Sequence, residues 1–319
     1  MKLVAVLGPT ATGKSSLAIA LAEHFGGEII NCDSTAVYRG FDIGTDKPSP
    51  ADRRRIPHHL IDIVEPTTEY TAADYGRQAS EAVVAVHARG RLPIVAGGTG
   101  FYFRALTRGL FPGPGKDAGL RDRLARIADR HGVEFLWRMV RRLDRSSAER
   151  ILPRDRKRLI RALEVYFQTG KPLSMHFADT VSPLPPATVV TALALRMEPG
   201  PLAERLARRV DAQLEAGLVD EVRGLLAQGV PPTARPFGGL VYRQVMDYLA
   251  GVRDLAATRD LIVQENRRYA RRQLIWFRKE PNLIWFDGPG ESARVQARVR
   301  DWLAATGPAA VDGGPAAHG

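Results

Sequence analysis

An apolar run at residues 3–7 leads straight into Gly8-Pro9-Thr10-Ala11-Thr12-Gly13-Lys14-Ser15, and a helical pattern begins immediately behind it. A buried strand, a G-x-x-x-x-G-K-[ST] turn and a helix start require a particular kind of core, in which the first strand sits inside a parallel sheet covered by helices on both faces. The loop itself is a phosphate cradle. Gly8 and Gly13 let the amides of Thr10, Ala11 and Thr12 turn inward, Lys14 adds a point charge, Ser15 offers a hydroxyl to Mg²⁺, and the helix aims its positive end at the anion. The loop alone does not distinguish a nucleotide from another diphosphate.

The pattern that follows alternates strand and helix: strand 3–7, helix 14–25, strand 28–32, a polar stretch to Pro57, strand 60–64, helix 72–89 and strand 93–96. Ligands of such sheets bind beyond the carboxyl ends of the strands. Residues 8–15, Cys32-Asp33-Ser34 and Gly97-Gly98-Thr99-Gly100 all fall there. Gly/Pro-rich stretches at 109–115 and 181–186 then bracket helical periodicities at 120–130, 134–143, 147–152 and 155–169, which read as an all-helical module inserted between hinges. A branched run at 188–195 returns to the sheet, and helices are expected at 201–216, 218–227, 240–249 and 255–277 before a short apolar run at 283–286. The expected organisation is a P-loop NTPase-like α/β core at 1–112 and 187–305, a helical insertion at 113–186, and a low-complexity tail at 306–319 expected to be disordered.

Charge narrows the partners. The net charge of +11 raises nucleic acid above a small neutral substrate, and residues 116–171 concentrate it, with 16 Lys and Arg against 8 Asp and Glu. No apolar stretch approaches the length of a membrane span and the chain opens on a strand rather than a signal-sequence pattern, so a cytoplasmic enzyme, here expected to be monomeric, is anticipated. The single cysteine, Cys32, precludes an internal disulfide, and the adjacent pair His58-His59 is expected to satisfy local backbone groups rather than share a metal.

P-loop hydrolases place an Asp at the end of a later strand to hold Mg²⁺ through water. The strand at 93–96 ends instead in Gly97-Gly98-Thr99, whereas a carboxylate, Asp33, stands at the exit of the second strand. There it opens beside the phosphate loop, where a base could serve a nucleophile attacking a phosphorylated ligand; it could equally be an Asx-turn at a strand exit.

Six segments in order carry a resemblance: 8–15; Asp33-Ser34-x-x-x-Tyr38-Arg39-Gly40-x-Asp42-Ile43-Gly44-Thr45-x-Lys47-Pro48; His58-His59-Leu60-x-Asp62; Gly97-Gly98-Thr99; Arg161-Ala162-Leu163-Glu164; and Gln273-x-x-Trp276-Phe277-Arg278. From Leu3 to about Trp285 the chain resembles the bacterial tRNA dimethylallyltransferases. The resemblance implies transfer of a dimethylallyl group from dimethylallyl diphosphate to N6 of adenine 37, just 3′ of the anticodon, in tRNAs that read codons starting with U. It implies Asp33 as general base, Thr99 supporting Asp33 and the amine, and Lys14, the loop and Mg²⁺ on Ser15 activating pyrophosphate, with Arg205 and Arg209 reaching it. For the tRNA anticodon stem-loop it implies contacts from Asp33, Ser34, Thr35, Ala36 and Thr99, from Arg121, Lys157, Arg158 and Arg161 in the insertion, and from Tyr242 and Arg243.

An adenine amine is a weak nucleophile, so a proton acceptor and an activated leaving group suit that reaction better than NTP hydrolysis. Four positions depart from the family pattern: Ala36 where Gln is common, Gln213 where Met is frequent, Val241 where Gly is usual, and Ile275 where Thr is common. Competing readings are a prenyltransferase acting on free AMP or ADP, a P-loop small-molecule kinase or NTPase, and a nucleic-acid-binding protein without catalysis.

Overall fold

A computed structural model describes residues 1–288 and 292–305; the expected tail at 306–319 lies outside them. The described residues form two compact units, one from 1–107 with those from Leu184 onward and the other Arg108–Pro183.

The first unit is built on a six-stranded, all-parallel sheet in the order β3-β2-β4-β1-β5-β6. Its strands are β1 (Lys2–Leu7), β2 (Gly27–Asn31), β3 (His58–His59), β4 (Leu92–Gly97), β5 (Val189–Arg196) and β6 (Leu283–Asp287). Central β1 pairs with β4 on one side and β5 on the other, which is why residues 3–7 are apolar without alternation. The two-residue period nevertheless shows in what each side chain meets. Leu3, Ala5 and Leu7 join a core with α3 (Ala72–Ala88), α4 (Gly100–Thr107), α9 (Pro199–Glu215), α10 (Leu218–Ala227), α11 (Tyr242–Leu249) and α12 (Leu255–Arg278). Val4 and Val6 face α1 (Lys14–Phe25) and α13 (Ser292–Ala304). Helix α13, absent from the sequence reading, buries Val295, Val299 and Trp302 at helical spacing, and the Lys2 ammonium donates to the Trp302, Leu303 and Ala305 carbonyls at 3.0, 2.7 and 2.9 Å.

The third strand differs from expectation. Pairing is confined to His58 and His59, with an isolated bridge from Tyr38 to Val64, rather than extending over 60–64. Leu60 and Asp62 hold left-handed φ values of 61° and 57°, which interrupt an extended ladder. Polar ties favour that bend: Asn31 Nδ2 donates to the Leu60 carbonyl at 3.0 Å, and Lys47 and Arg53 both bind the Asp62 carboxylate, at 2.5 and 2.7 Å. Within the polar stretch before it, α2 (Pro50–Arg55) forms behind a Ser49 N-cap that accepts from Asp52 N.

The second unit holds α5 (Ala118–His131), α6 (Val133–Leu143), α7 (Arg145–Arg150) and α8 (Arg156–Thr169), followed by a 3₁₀ turn at Leu173–Asp179. Asp117, Asp144 and Asp155 cap α5, α7 and α8. Leu124, Leu136, Val140, Leu159 and Leu163 form its own core. Its bounds sit a few residues before the expected 113–186 because the entering and leaving segments already meet at Gly109, whose φ of +75° and close approach to the Val181 backbone leave no room for a side chain. Among the described residues no helix is long and apolar enough to cross a membrane.

Candidate active site

The loop after β1 has the conformation its sequence demands. Gly8 and Gly13 take φ values of +132° and +95°, and Ala11 also turns left-handed at 64°. A Cβ on Gly8 would run into the Leu195 backbone, so only glycine lets the loop leave the sheet here. Thr12 is fully buried and its hydroxyl donates to the Pro9 carbonyl at 2.9 Å, bracing the loop from beneath. Lys14 Nζ donates to the same carbonyl at 2.5 Å, and Arg209 Nη1 reaches Thr10 Oγ1 at 2.5 Å. Burial lowers the Lys14 pKa to about 8, with the neighbouring Arg209 charge pushing the same way; Asp33 and Asp46 pull it back up. Two cations held this close, with the ammonium strained toward neutrality, constitute a site that gains from an anion.

Loop residues Thr10, Ala11, Gly13, Lys14 and Ser15 line a cavity of about 1000 Å³ together with Asp33, Ser34, Thr35, Ala36, Arg205 and Arg209. The carboxylate therefore opens on the same side of the sheet as the phosphate loop. Its backbone is bracketed by Asn31, whose side chain accepts from Asp33 N at 3.0 Å and donates to Asp33 O at 3.0 Å. Asp33 Oδ1 accepts from Thr35 N at 2.9 Å and Thr35 Oγ1 at 2.6 Å, while Oδ2 makes no hydrogen bond among the described residues. The Asx-turn thus engages one oxygen of the carboxylate and leaves the other uncommitted.

Thr99 lies one layer behind. Its Oγ1 accepts from Ser34 N at 3.0 Å and its N–H donates to the Cys32 carbonyl at 3.0 Å, so it orients the 33–35 turn through Ser34 rather than by touching the Asp33 carboxylate. Gly97, at the end of β4, packs so tightly on the Cys32 backbone that no side chain fits there. The position where a hydrolase keeps its Mg²⁺ carboxylate is sterically closed.

One residue of this site was quoted only as part of a motif. Gln273, on α12 and nearly buried, accepts from Thr10 N at 2.9 Å through Oε1 and donates to Gly98 O at 2.8 Å through Nε2, joining the phosphate loop to the loop after β4. Beside it, the Trp276 ring lies flat against Gly100.

Several residues expected to meet tRNA are engaged within the protein. Tyr242 is buried: its ring packs edge-on to Phe41 with centroids 4.9 Å apart, and its hydroxyl donates to Glu221 Oε1 at 2.7 Å. It belongs to the core, and only its neighbour Arg243 is exposed. Arg121 and Arg161 in the second unit converge on the buried Glu164, with Arg121 bidentate at 2.7 and 2.8 Å and Arg161 at 2.6 Å. Burial pushes the Glu164 carboxyl up, but the two guanidiniums and the Asp117 N–H outweigh it and hold it at about 2. Lys157 and Arg158 remain exposed. Conversely, the helix that carries Gln273 presents Arg267, Arg271 and Arg278 on one exposed face, none with a hydrogen bond or ion pair among the described residues. The run of arginines in 267–278 was the available signal, and a helical wheel separates this face from Asn266, Tyr269 and Gln273, which line the cavity.

The departures find their places too. Val241 adopts φ 76° and ψ −58°, a γ-turn geometry that glycine tolerates far better. Gln213 donates to the Ile43 carbonyl at 3.0 Å while its Oε1 is buried without a partner among the described residues. His58 Nδ1 lies 2.7 Å from the Ile56 carbonyl, a local backbone tie of the kind expected, whereas His59 Nε2 lies 2.7 Å from the side chain of Glu28 on β2.

The sequence model of the IPP transferase family matches residues 36–280. A tRNA dimethylallyltransferase from Geobacter metallireducens is 46% identical over 303 residues, covering 93% of this chain and 96% of the relative. The chain belongs to the IPP transferase family. A tRNA isopentenylpyrophosphate transferase from Bacillus halodurans, 35% identical, superposes with a TM-score of 0.69 over 95% of this chain and 96% of its own. A eukaryotic dimethylallyltransferase acting on tRNA, 27% identical, gives a TM-score of 0.78 over 95% and 79%. As an IPP transferase with this parallel sheet, the chain has the P-loop NTPase-like fold expected of it.

Proposed function

We propose that this IPP transferase moves a dimethylallyl group from dimethylallyl diphosphate to N6 of adenine 37 in tRNAs that read codons starting with U. One observation carries the reading: a carboxylate with one uncommitted oxygen and a two-cation phosphate loop open into a single cavity, at a site where a hydrolase carboxylate cannot be built. In the reaction the allylic C–O bond breaks, the N6–C bond forms, the amine proton passes to Asp33 Oδ2, and pyrophosphate leaves. Lys14, Arg209 and the loop amides stabilise the charge that gathers on it. Arg205, on the same face of α9 one turn before Arg209, reaches the anion from the cavity wall.

The donor set suits Mg²⁺ held mainly by its ligand. Ser15 is exposed and lines the cavity, and among the described residues no cluster of three or more His, Cys, Asp or Glu forms a protein-only metal cage. A magnesium ion bound through one hydroxyl, diphosphate oxygens and water would supply further neutralisation of the leaving group.

For tRNA, the exposed cations of α12 and Arg243 offer phosphate contacts beside the cavity-lining helix, with Lys157 and Arg158 on the helical unit. The target base must leave its loop stack to reach Asp33, which costs least in an unpaired loop. The test offers labelled dimethylallyl diphosphate with unmodified tRNA or with AMP, followed by mapping of the labelled nucleoside. Label should enter tRNA at adenine 37. Label in AMP alone would instead identify an adenylate prenyltransferase, and ATP turnover without a prenyl donor would identify a kinase or NTPase.

A further inference from the structure

Residues 42–47 form one wall of the cavity and are held by side chains from α9, α10 and α11. Consecutive amides of this segment converge on one carboxylate: Asp42 N and Ile43 N donate to Glu221 Oε2 at 2.9 and 2.7 Å, and Gly44 N points at Oε1 at 3.4 Å. Successive backbone N–H groups of this kind make an anion nest, here filled by the protein's own side chain. The Tyr242 hydroxyl donates to the same carboxylate at 2.7 Å, and a Cβ on Gly44 would come within 2.5 Å of the Tyr242 ring, so segment and ring are in close contact. Gln213 binds the opposite edge through the Ile43 carbonyl at 3.0 Å. The segment then turns through Asp46 at φ 57°, whose carboxylate lies 3.5 Å from Arg209 Nε, and Arg209 continues to Thr10 at 2.5 Å.

We propose that Glu221 is a positioning residue for donor binding: by filling the 42–44 nest it holds Asp46 where that carboxylate aims Arg209 at the phosphate loop. Glu221 does not line the cavity and touches no reacting atom. Arg209 and Lys14 repel each other; Asp33 and Asp46 both offset this, and Asp46 does so in contact with Arg209. If the segment loosens, Arg209 swings freely on its helix and the diphosphate must order it on binding. The loss therefore falls on donor affinity and leaves the chemical step alone.

This rests on the prenyl-transfer reading, so binding of inorganic pyrophosphate by titration calorimetry is measured beside turnover. Glu221→Gln should raise the donor KM and weaken pyrophosphate binding about tenfold, with kcat within about twofold and the tRNA KM unchanged. Asp46→Asn should do the same, and the double variant should be no worse than the weaker-binding single, since both act through one chain. Tyr242→Phe, which keeps every charge and removes one donor to Glu221, should give a smaller loss of the same kind and stands in if Glu221→Gln does not fold. Multiplicative single effects, a fall in kcat at constant donor KM, or pyrophosphate affinity unchanged in all three variants would overturn the proposal. An inactive wild type that binds pyrophosphate as described would sink the prenyl-transfer reading and leave this one standing.

Discussion

Replacing Asp33 by asparagine separates the proposed proton transfer from the turn contacts of the same side chain. Oδ1 accepts two hydrogen bonds from Thr35, at 2.9 and 2.6 Å, and Oδ2, on a residue that lines the cavity, makes no hydrogen bond among the described residues. An asparagine oxygen keeps the Thr35 bonds, while its amide nitrogen can no longer accept a proton. Loss of a general base is worth about 10²–10⁴ in rate, or roughly 3–5.5 kcal/mol of barrier. Stability should stay within about 0.5 kcal/mol, because no buried donor is left unpaired. Asp33→Ala should lose transfer equally and in addition forfeit both turn bonds, about 1–2 kcal/mol, seen as a Tm fall of about 2–8 °C. The charge removed also supports the Lys14 ammonium, so both variants should bind pyrophosphate a few-fold more weakly near neutral pH. Single-turnover transfer to tRNA at saturating donor, with calorimetric Tm for each variant, is the assay. A single-turnover rate for Asp33→Asn within threefold of wild type would remove Asp33 from proton transfer, whatever the fate of Asp33→Ala.

Four further outcomes follow from the same geometry. Because the Lys14 pKa lies near 8 in the free protein and an anion stabilises only the charged form, pyrophosphate affinity should hold steady below that pH and decline as pH rises through it; a flat profile from pH 7 to 10 in titration calorimetry would contradict the burial argument. Glu164→Gln leaves two guanidiniums facing a neutral amide and should destabilise by about 3–5 kcal/mol. Since the folded Glu164 pKa is lowered from 4.5 to about 2, its contribution is complete above pH 4.5 and disappears as pH falls toward 2, so urea denaturation should show the wild-type advantage shrinking over that window. Changing Arg267 and Arg271 to Gln should reduce the salt slope of tRNA binding by about 0.7–0.9 per lost phosphate contact, measured by filter binding, whereas an unchanged slope would exclude that face. Gln244 is buried with both amide atoms unpartnered among the described residues, so Gln244→Leu should raise stability by about 1–2 kcal/mol, read as an upward shift in Tm.

Local chemistry made much of this protein legible before any coordinates. The phosphate loop, the helix behind it at Lys14–Phe25 and the parallel core follow from glycine placement and from apolar strands too short to be anything but buried. Asp33 was readable because a carboxylate at a strand exit in a parallel sheet has few places to point. Helix α13 and the short reach of β3 went unread: the first buries only Val295, Val299 and Trp302, whose helical spacing gains meaning from the sheet face they cover, and the second is bent by lysine and arginine contacts with Asp62.

Charge was the least transparent signal. A count of arginines says how strong a field is but not which guanidiniums are already engaged, and the contact with Glu164 decides that for Arg121 and Arg161, as burial does for Tyr242. Sequence alone determined the phosphate-loop turn and the carboxylate at the exit of the second strand, because those conformations are enforced within a few neighbouring residues. Which cations stay free for a partner, and which acid holds the 42–47 wall in place, depend on residues that meet only when distant helices pack, and so were settled by the tertiary structure.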